Sequence, residues 1–155
     1  GIAKNPFFDA LPIKGNKGEY LIIESKELQL EAILKNKFFL IPLGNDLYKY
    51  GATYNRDELN NLPSKNSKEL LKSNLDQLIN CSYQIKNQVA GIRPTVKDKK
   101  PIYGTHQKFH NVHLLNGMGS RGLMMAPLLA EELIDNIEDD KPLRDEINLN
   151  RFVLN

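Results

Sequence analysis

The chain is short of cysteine, of net charge and of long apolar runs, and each shortage closes off a class of function. Its 155 residues include one cysteine, Cys81, so no intrachain disulfide can form. That suits a reducing, cytoplasmic setting and a buried structural thiol. Twenty-one basic against nineteen acidic residues leave a net charge of +2. This is too balanced to draw in nucleic acid or an anionic membrane by electrostatics alone. The densest lysine run, Lys97-Asp98-Lys99-Lys100, carries its own aspartate and is expected as a turn. No stretch approaches the roughly 18 apolar residues of a membrane span, and no signal-peptide pattern opens the chain. A start at Gly1 without an initiator Met is expected of a processed or engineered piece. Neither G-x-S-x-G nor a P-loop lysine occurs, and there is no internal repeat. With 41% hydrophobic and 26% charged residues, the composition is that of a soluble globular domain with a real core.

Apolar periodicity outlines the elements. Glu19–Ser25 and Lys37–Leu43 are expected strands. Gly44-Asn45-Asp46 then turns the chain into Leu47–Tyr54, forming a hairpin with Pro42 at an edge or near a strand end. Ser67–Asn80 is expected as a helix, with Leu71, Leu75, Leu78 and Ile79 on one face and Asn66 with Glu69 as a capping box. Ser82–Ala90 is a further strand, and Gly91–Gly104, punctuated by Pro94 and Pro101, is extended or turning. A strand at 112–116 leads into Gly117-Met118-Gly119-Ser120-Arg121-Gly122 and a final helix with Pro127 inside its pattern. Proline in a helix interior costs about 3 kcal/mol, so the helix either begins at 123–126 or kinks there.

The glycine run has the spelling strand, G-x-G-x-x-G, helix, which marks dinucleotide loops. Such loops open their fold, with an acidic residue at the end of the next strand; here Glu138-Asp139-Asp140 comes directly off the helix. An anion-facing helix start is the physical content that survives. Arg93, held between Gly91-Ile92 and Pro94, has the restricted backbone that suits a bidentate carboxylate clamp, or is a surface arginine at a strand end. His106, His110 and His113 do not make a metal site, because the i, i+4 spacing of the first two works only on a helix and no helical period runs through them. Tyr48, Tyr50 and Tyr54 share one strand face, as core or as pocket lining.

Together, GIRPTVKDKKPIYG at 91–104 and NVHLLNGMGSRGLMMAPLLAEELID at 111–135 resemble the FAD-dependent D-amino-acid oxidase, glycine oxidase and sarcosine oxidase superfamily. Members read G-L-R-P-x-T-x-D-x-x-P-x-I-G, then a strand, then G-H-G-S-R-G and a helix with A-P. KGEYLII at 17–23, IPLGNDLYKYGATY at 41–54 and Asn150-Arg151-Phe152 extend the resemblance over almost the whole chain. Met118 stands where the family has His, and Leu43 where its hairpin has Arg.

The resemblance implies an α+β fold: a mixed, mainly antiparallel substrate-domain sheet with a flanking helix, plus a strand-loop-helix of an FAD-binding domain. It divides the chain into a substrate-binding portion, 1–90, and an FAD-domain portion, 91–155, lacking the N-terminal Rossmann segment. It implies noncovalent FAD held at Gly117, Met118, Gly119, Ser120, Arg121, Gly122 and Leu123, with no metal. Arg93 would bind the carboxylate of a small amine or amino-acid substrate, and Tyr48 and Tyr50 would line the pocket. The implied reaction is hydride transfer from a carbon beside an amine to flavin N5. A tRNA wobble-uridine modification enzyme carries the same module and is the alternative, although the near-neutral charge argues against nucleic acid. By itself the fragment is expected to be an inactive structural module.

Overall fold

A computed structural model describes residue 2 and residues 5–152. Five strands form one sheet: β1 (Ile13–Glu24), β2 (Leu34–Lys35), β3 (Phe39–Gly44), β4 (Leu47–Gly51) and β5 (Gln84–Val96), in the order β2-β3-β4-β1-β5. β6 (Ile102–Thr105) and β7 (His113–Asn116) form a second, two-stranded antiparallel sheet. The helices are α1 (Lys65–Asp76) and α2 (Gly122–Asp139). The expected mixed α+β fold with a mainly antiparallel sheet is therefore present. The chain gathers into two compact units, one of Lys17–Ile92 and one combining the chain before Lys17 with that from Arg93 onward. The breaks between them fall at Asn16/Lys17, which has no mark in composition, and at Ile92/Arg93.

In the Lys17–Ile92 unit, alternation sorts the side chains. Leu21, Ile23, Leu40, Tyr48 and Tyr50 fall on the face that meets Leu71, Leu75 and Ile79, in or just beyond α1, and all are buried. The β3–β4 hairpin turns on Asn45 and Asp46, both with positive φ (52° and 60°), which matches the twist of the paired strands. Pro42 lies past the end of β2, which pairs only with Phe39 and Leu40, so its missing N–H interrupts no ladder on that side. β4 ends at Gly51 rather than Tyr54, and Tyr54 is 66% exposed beyond it.

Two boundaries differ from expectation for identifiable reasons. The N-cap of α1 is Ser64, whose Oγ accepts from Ser67 N at 3.3 Å, and Asn66–Glu69 makes no capping box. Ser64 is chosen by tertiary contact: its N–H and Oγ donate to the buried Glu19 carboxylate at 2.8 and 2.7 Å. β5 runs straight through Gly91 and Pro94 to Val96, past the expected strand end at Ala90. It lies at the sheet edge, where a proline costs no ladder bond on the open side.

Glu19 is 1% exposed, and Lys17 beside it is 0% exposed. Lys17 Nζ lies 3.5 Å from Glu19 Oε1 and 3.4 Å from Glu58 Oε2, and donates to Asn60 Oδ1 at 3.0 Å. Gln88 Nε2 on β5 donates to Glu19 Oε2 at 2.7 Å. Burial raises the Glu19 pKa, but the donated hydrogen bonds from Ser64, Ser67 and Gln88 outweigh it and hold the carboxyl below its ordinary 4.5. A carboxyl with a depressed folded pKa stabilises at pH values above its unfolded pKa, and that stability is lost as pH falls through the folded value. Denaturant unfolding across pH should therefore show Glu19→Gln less stable by roughly 3–5 kcal/mol at pH 7, with the gap to wild type closing as pH falls below the ordinary carboxyl range. A gap that stays constant from pH 7 to pH 3 would refute this role.

Candidate functional site

The second unit places the glycine run between a strand end and a helix start. After β7 the chain turns at Gly117 (φ 77°) and Gly119 (φ 59°), makes one 3-10 turn over Gly119–Arg121 and enters α2 at Gly122. Gly117 is required: a Cβ there would stand 2.4 Å from Val96 Cγ2. At Gly119 a Cβ would approach Thr95 Cγ2 at 3.3 Å. Thr95 and Met118 form an antiparallel bridge, so the end of β5 is stitched to the turn. Thr95 Oγ1 in turn donates to Lys14 O on β1 at 2.9 Å. Arg93 is half-buried two residues earlier on the same strand and shares the face of Thr95 by the two-residue period.

The start of α2 has the character of an anion site. Its N-cap, Arg121, makes no side-chain cap, and the first turn has no acidic residue. The first amides of a helix lack intrahelical acceptors and carry partial positive charge. Leu123 is fully exposed and Met124 is 73% exposed. A Cβ added at Gly122 would meet nothing within 4 Å, so the space beside its Cα is open. The helix runs through Pro127 without starting later, and Leu129 and Leu133 anchor it against Tyr103 and Ile147. Tyr103 donates to Glu132 Oε2 at 3.0 Å and accepts from Arg144 N at 3.0 Å. Burial, with Glu132 adding to it, pushes its phenol pKa up, so it serves as a neutral strut.

The side chains of the run have distinct uses. Met118 packs on the Tyr103–Leu129 cluster, and Arg121 donates to Lys99 O at 2.8 Å, tying the turn to the β5–β6 connection. What the run offers a ligand is thus chiefly backbone N–H, with Ser120 exposed. Tyr48 and Tyr50 do share a strand face, but it is the face that α1 covers. Tyr50 is fully buried, stacks edge-on against Phe38 and donates to Asn36 Oδ1 at 3.2 Å. The Tyr48 hydroxyl accepts from Leu30 N at 3.4 Å. Both rings belong to the core of their unit. Sequence reasoning missed Thr95 and Val96, the residues that hold the turn; their mark was only their place after Arg93-Pro94.

The histidines have structural surroundings. His106 is 5% exposed, accepts on Nδ1 from the N–H groups of Lys108 and Phe109 at 3.0 and 3.3 Å, and sits among Phe7, Phe8 and Phe109. His113 Nδ1 lies 2.9 Å from Thr105 Oγ1. Among the described residues no group of three or more His, Cys, Asp or Glu is placed to hold a metal ion, and no helix is long and apolar enough to cross a membrane. Cys81 is half-buried, with Sγ 3.6 Å from Ser25 Oγ.

Residues 2–136 match the FAD dependent oxidoreductase family. The chain belongs to this family. It is 31% identical over 127 residues to a tRNA 5-methylaminomethyl-2-thiouridine biosynthesis bifunctional protein of Idiomarina loihiensis, covering 78% of this chain and 21% of that protein. Its fold is that of part of glycine oxidase. The enzyme from Bacillus cereus superposes with a TM-score of 0.76 at 20% identity, over 90% of this chain and 40% of that one. That from Geobacillus kaustophilus gives 0.77 at 19%, over 92% and 40%. The chain therefore spans about a fifth of the tRNA-modifying relative and two fifths of each oxidase. FAD is the cofactor of the family, and the uncapped amides, the open space at Gly122 and the apolar flank of Leu123 fit a planar ring that carries negative charge when reduced.

Replacing Gly117 by Ala should cost at least about 1–2 kcal/mol from positive φ alone, before the clash with Val96. The double variant Gly117→Ala with Val96→Ala should recover the clash and retain the φ penalty. Thermal unfolding of the two variants checks this, and an unaltered Gly117→Ala midpoint would show that the turn is not held as described.

Proposed function

We propose that this chain is part of a longer flavoenzyme that oxidises a carbon beside an amine nitrogen, with Arg93 orienting the substrate. The observation that carries the proposal is the Thr95–Met118 bridge. It ties the strand of Arg93 to the turn whose amides fit the cofactor, so one rigid connection sets the spacing between a substrate handle and the start of α2. Bound there, FAD would supply a two-electron hydride acceptor, with dioxygen or another acceptor as the final oxidant. The residues of the chain do the positioning. The first-turn amides of α2 would help hold the cofactor and stabilise negative charge on it, with Gly122 leaving room. A guanidinium such as Arg93 holds a carboxylate by two parallel hydrogen bonds and so fixes which C–H faces the acceptor. Without the portion of the relatives that it does not span, the chain alone is not expected to turn over.

One observation favours a second substrate. The relative with 31% identity is named for tRNA 5-methylaminomethyl-2-thiouridine biosynthesis, so an amine carried on a tRNA base is the alternative to a free amino acid. Its weight is set against the near-neutral charge, which concerns this segment only.

The full-length protein should be yellow and should bleach anaerobically when given its amine. Arg93→Ala should keep the flavin and raise KM for carboxylate-bearing amines about 10- to 100-fold, the loss expected for a charge-assisted pair. A colourless full-length protein that ignores added FAD would overturn the proposal. Salt-sensitive binding of tRNA in preference to any effect of free amino acids on the flavin spectrum would select the second substrate.

A further inference from the structure

β1 and β5 are neighbours in the five-stranded sheet, and side-chain contacts fix their alignment. Gln88 reaches Glu19, and farther along β5 Thr95 Oγ1 donates to Lys14 O at 2.9 Å. Residue numbers rise on one strand as they fall on the other, so the pair is antiparallel. Two residues back from Thr95 stands Arg93, and two residues on from Lys14 stands Asn16. Arg93 is therefore level with Asn16, about 5 Å away at the backbone, and residues opposite each other on antiparallel strands point to the same face. Asn16 is 5% exposed, and its Oδ1 has no hydrogen-bond partner among the described residues. Acceptors this deeply buried are nearly always satisfied, because an unpaired one bears the full loss of its hydration. The Thr95 hydroxyl, one step along on the same face, is committed to Lys14 O. An apolar side chain would fill the position of Asn16 without that cost.

What fits the unpaired oxygen is a ligand that brings an N–H, held one short step from a guanidinium. An α-amino acid has that pattern, its amine and carboxylate joined through one carbon. We propose that Asn16 recognises the substrate amine: its Oδ1 accepts an amine N–H while Arg93 holds the carboxylate. The assignment rests on the amine-oxidising reading above, in its amino-acid form. Two fixed points on the substrate then settle which C–H faces the hydride acceptor, which one clamp at the carboxylate leaves free to rotate. A neutral oxygen suits the chemistry. It takes one N–H of the free amine and leaves the nitrogen lone pair to form the C=N bond as the hydride departs from the carbon. A carboxylate in its place would favour the ammonium form, which has no lone pair to give.

The test uses the full-length, flavin-loaded protein and a panel of α-amino acids, each paired with the carboxylic acid that lacks the amine, such as glycine with acetate. Binding is read from the perturbed flavin spectrum, and stability from thermal unfolding. Asn16→Leu should weaken binding of the amino acid that wild type oxidises about 5- to 100-fold, the range for leaving a buried donor unpaired. The matching amine-free acid should stay within a few-fold of wild type. The variant should unfold at the wild-type temperature or above it, because a buried unpaired oxygen has been removed. Asn16→Val makes the same comparison if the leucine does not fit. Arg93→Ala, by contrast, should weaken the amino acid and the amine-free acid alike. An Asn16→Leu protein that binds the amino acid as wild type does overturns the amine contact and leaves Arg93 and amine oxidation standing. An equal loss for both ligands, or a lower unfolding temperature with unaltered selectivity, makes Asn16 a structural residue and also overturns the proposal. Wild type whose flavin no α-amino acid perturbs or reduces overturns both the assignment and the amino-acid reading beneath it.

Discussion

A buried lysine and a buried carboxylate cannot lie side by side in a protein interior unless the surrounding chain satisfies both. In this chain that demand organises one whole unit. Glu19 receives the N-cap of α1, the amide of Gln88 on β5 and the ammonium of Lys17. Its backbone exchanges hydrogen bonds with Thr53, and that of Lys17 with Asn55. One short stretch of β1 thereby places the loop after β4, the start of α1 and the edge strand β5. The apolar layer of Leu21, Ile23, Leu40, Leu71 and Leu75 supplies the burial that makes this polar node so demanding.

β5 is the long edge strand of the sheet. Its 13 residues begin beside the α1-covered core and end at Val96, which packs with Leu11, Ile102 and Leu149. Because Thr95 and Val96 together define the pocket into which Gly117 and Gly119 fit, the glycine turn is shaped by the strand as much as by its own sequence. The uncapped start of α2 follows. No side-chain cap is present to occupy its first amides.

Much of this was legible from local pattern. Gly91-Ile92-Arg93-Pro94 and Gly117–Gly122 carried the family, and Asn45-Asp46 carried the hairpin, because their backbone needs are written in residue type. Other features were not. Ser64 and Asn66 are both good caps, and only the distant Glu19 chooses between them. Gly91 and Pro94 look like strand breakers until β5 is known to be an edge. Tyr48 and Tyr50 alternate correctly, but alternation states that two rings share a face and not which face is covered.

By itself, then, the sequence determined the strands and helices that are periodic, the positive-φ turns and the family to which the chain belongs, since each depends on residues within a few positions of one another. The tertiary structure alone decided the cap of α1, the reach of β5, the burial of Lys17 with Glu19 and the side of the sheet that α1 covers. Those depend on partners up to 69 residues apart, as Glu19 and Gln88 are. No local preference encodes a contact of that separation; only burial, which makes every unpaired polar group costly, selects it.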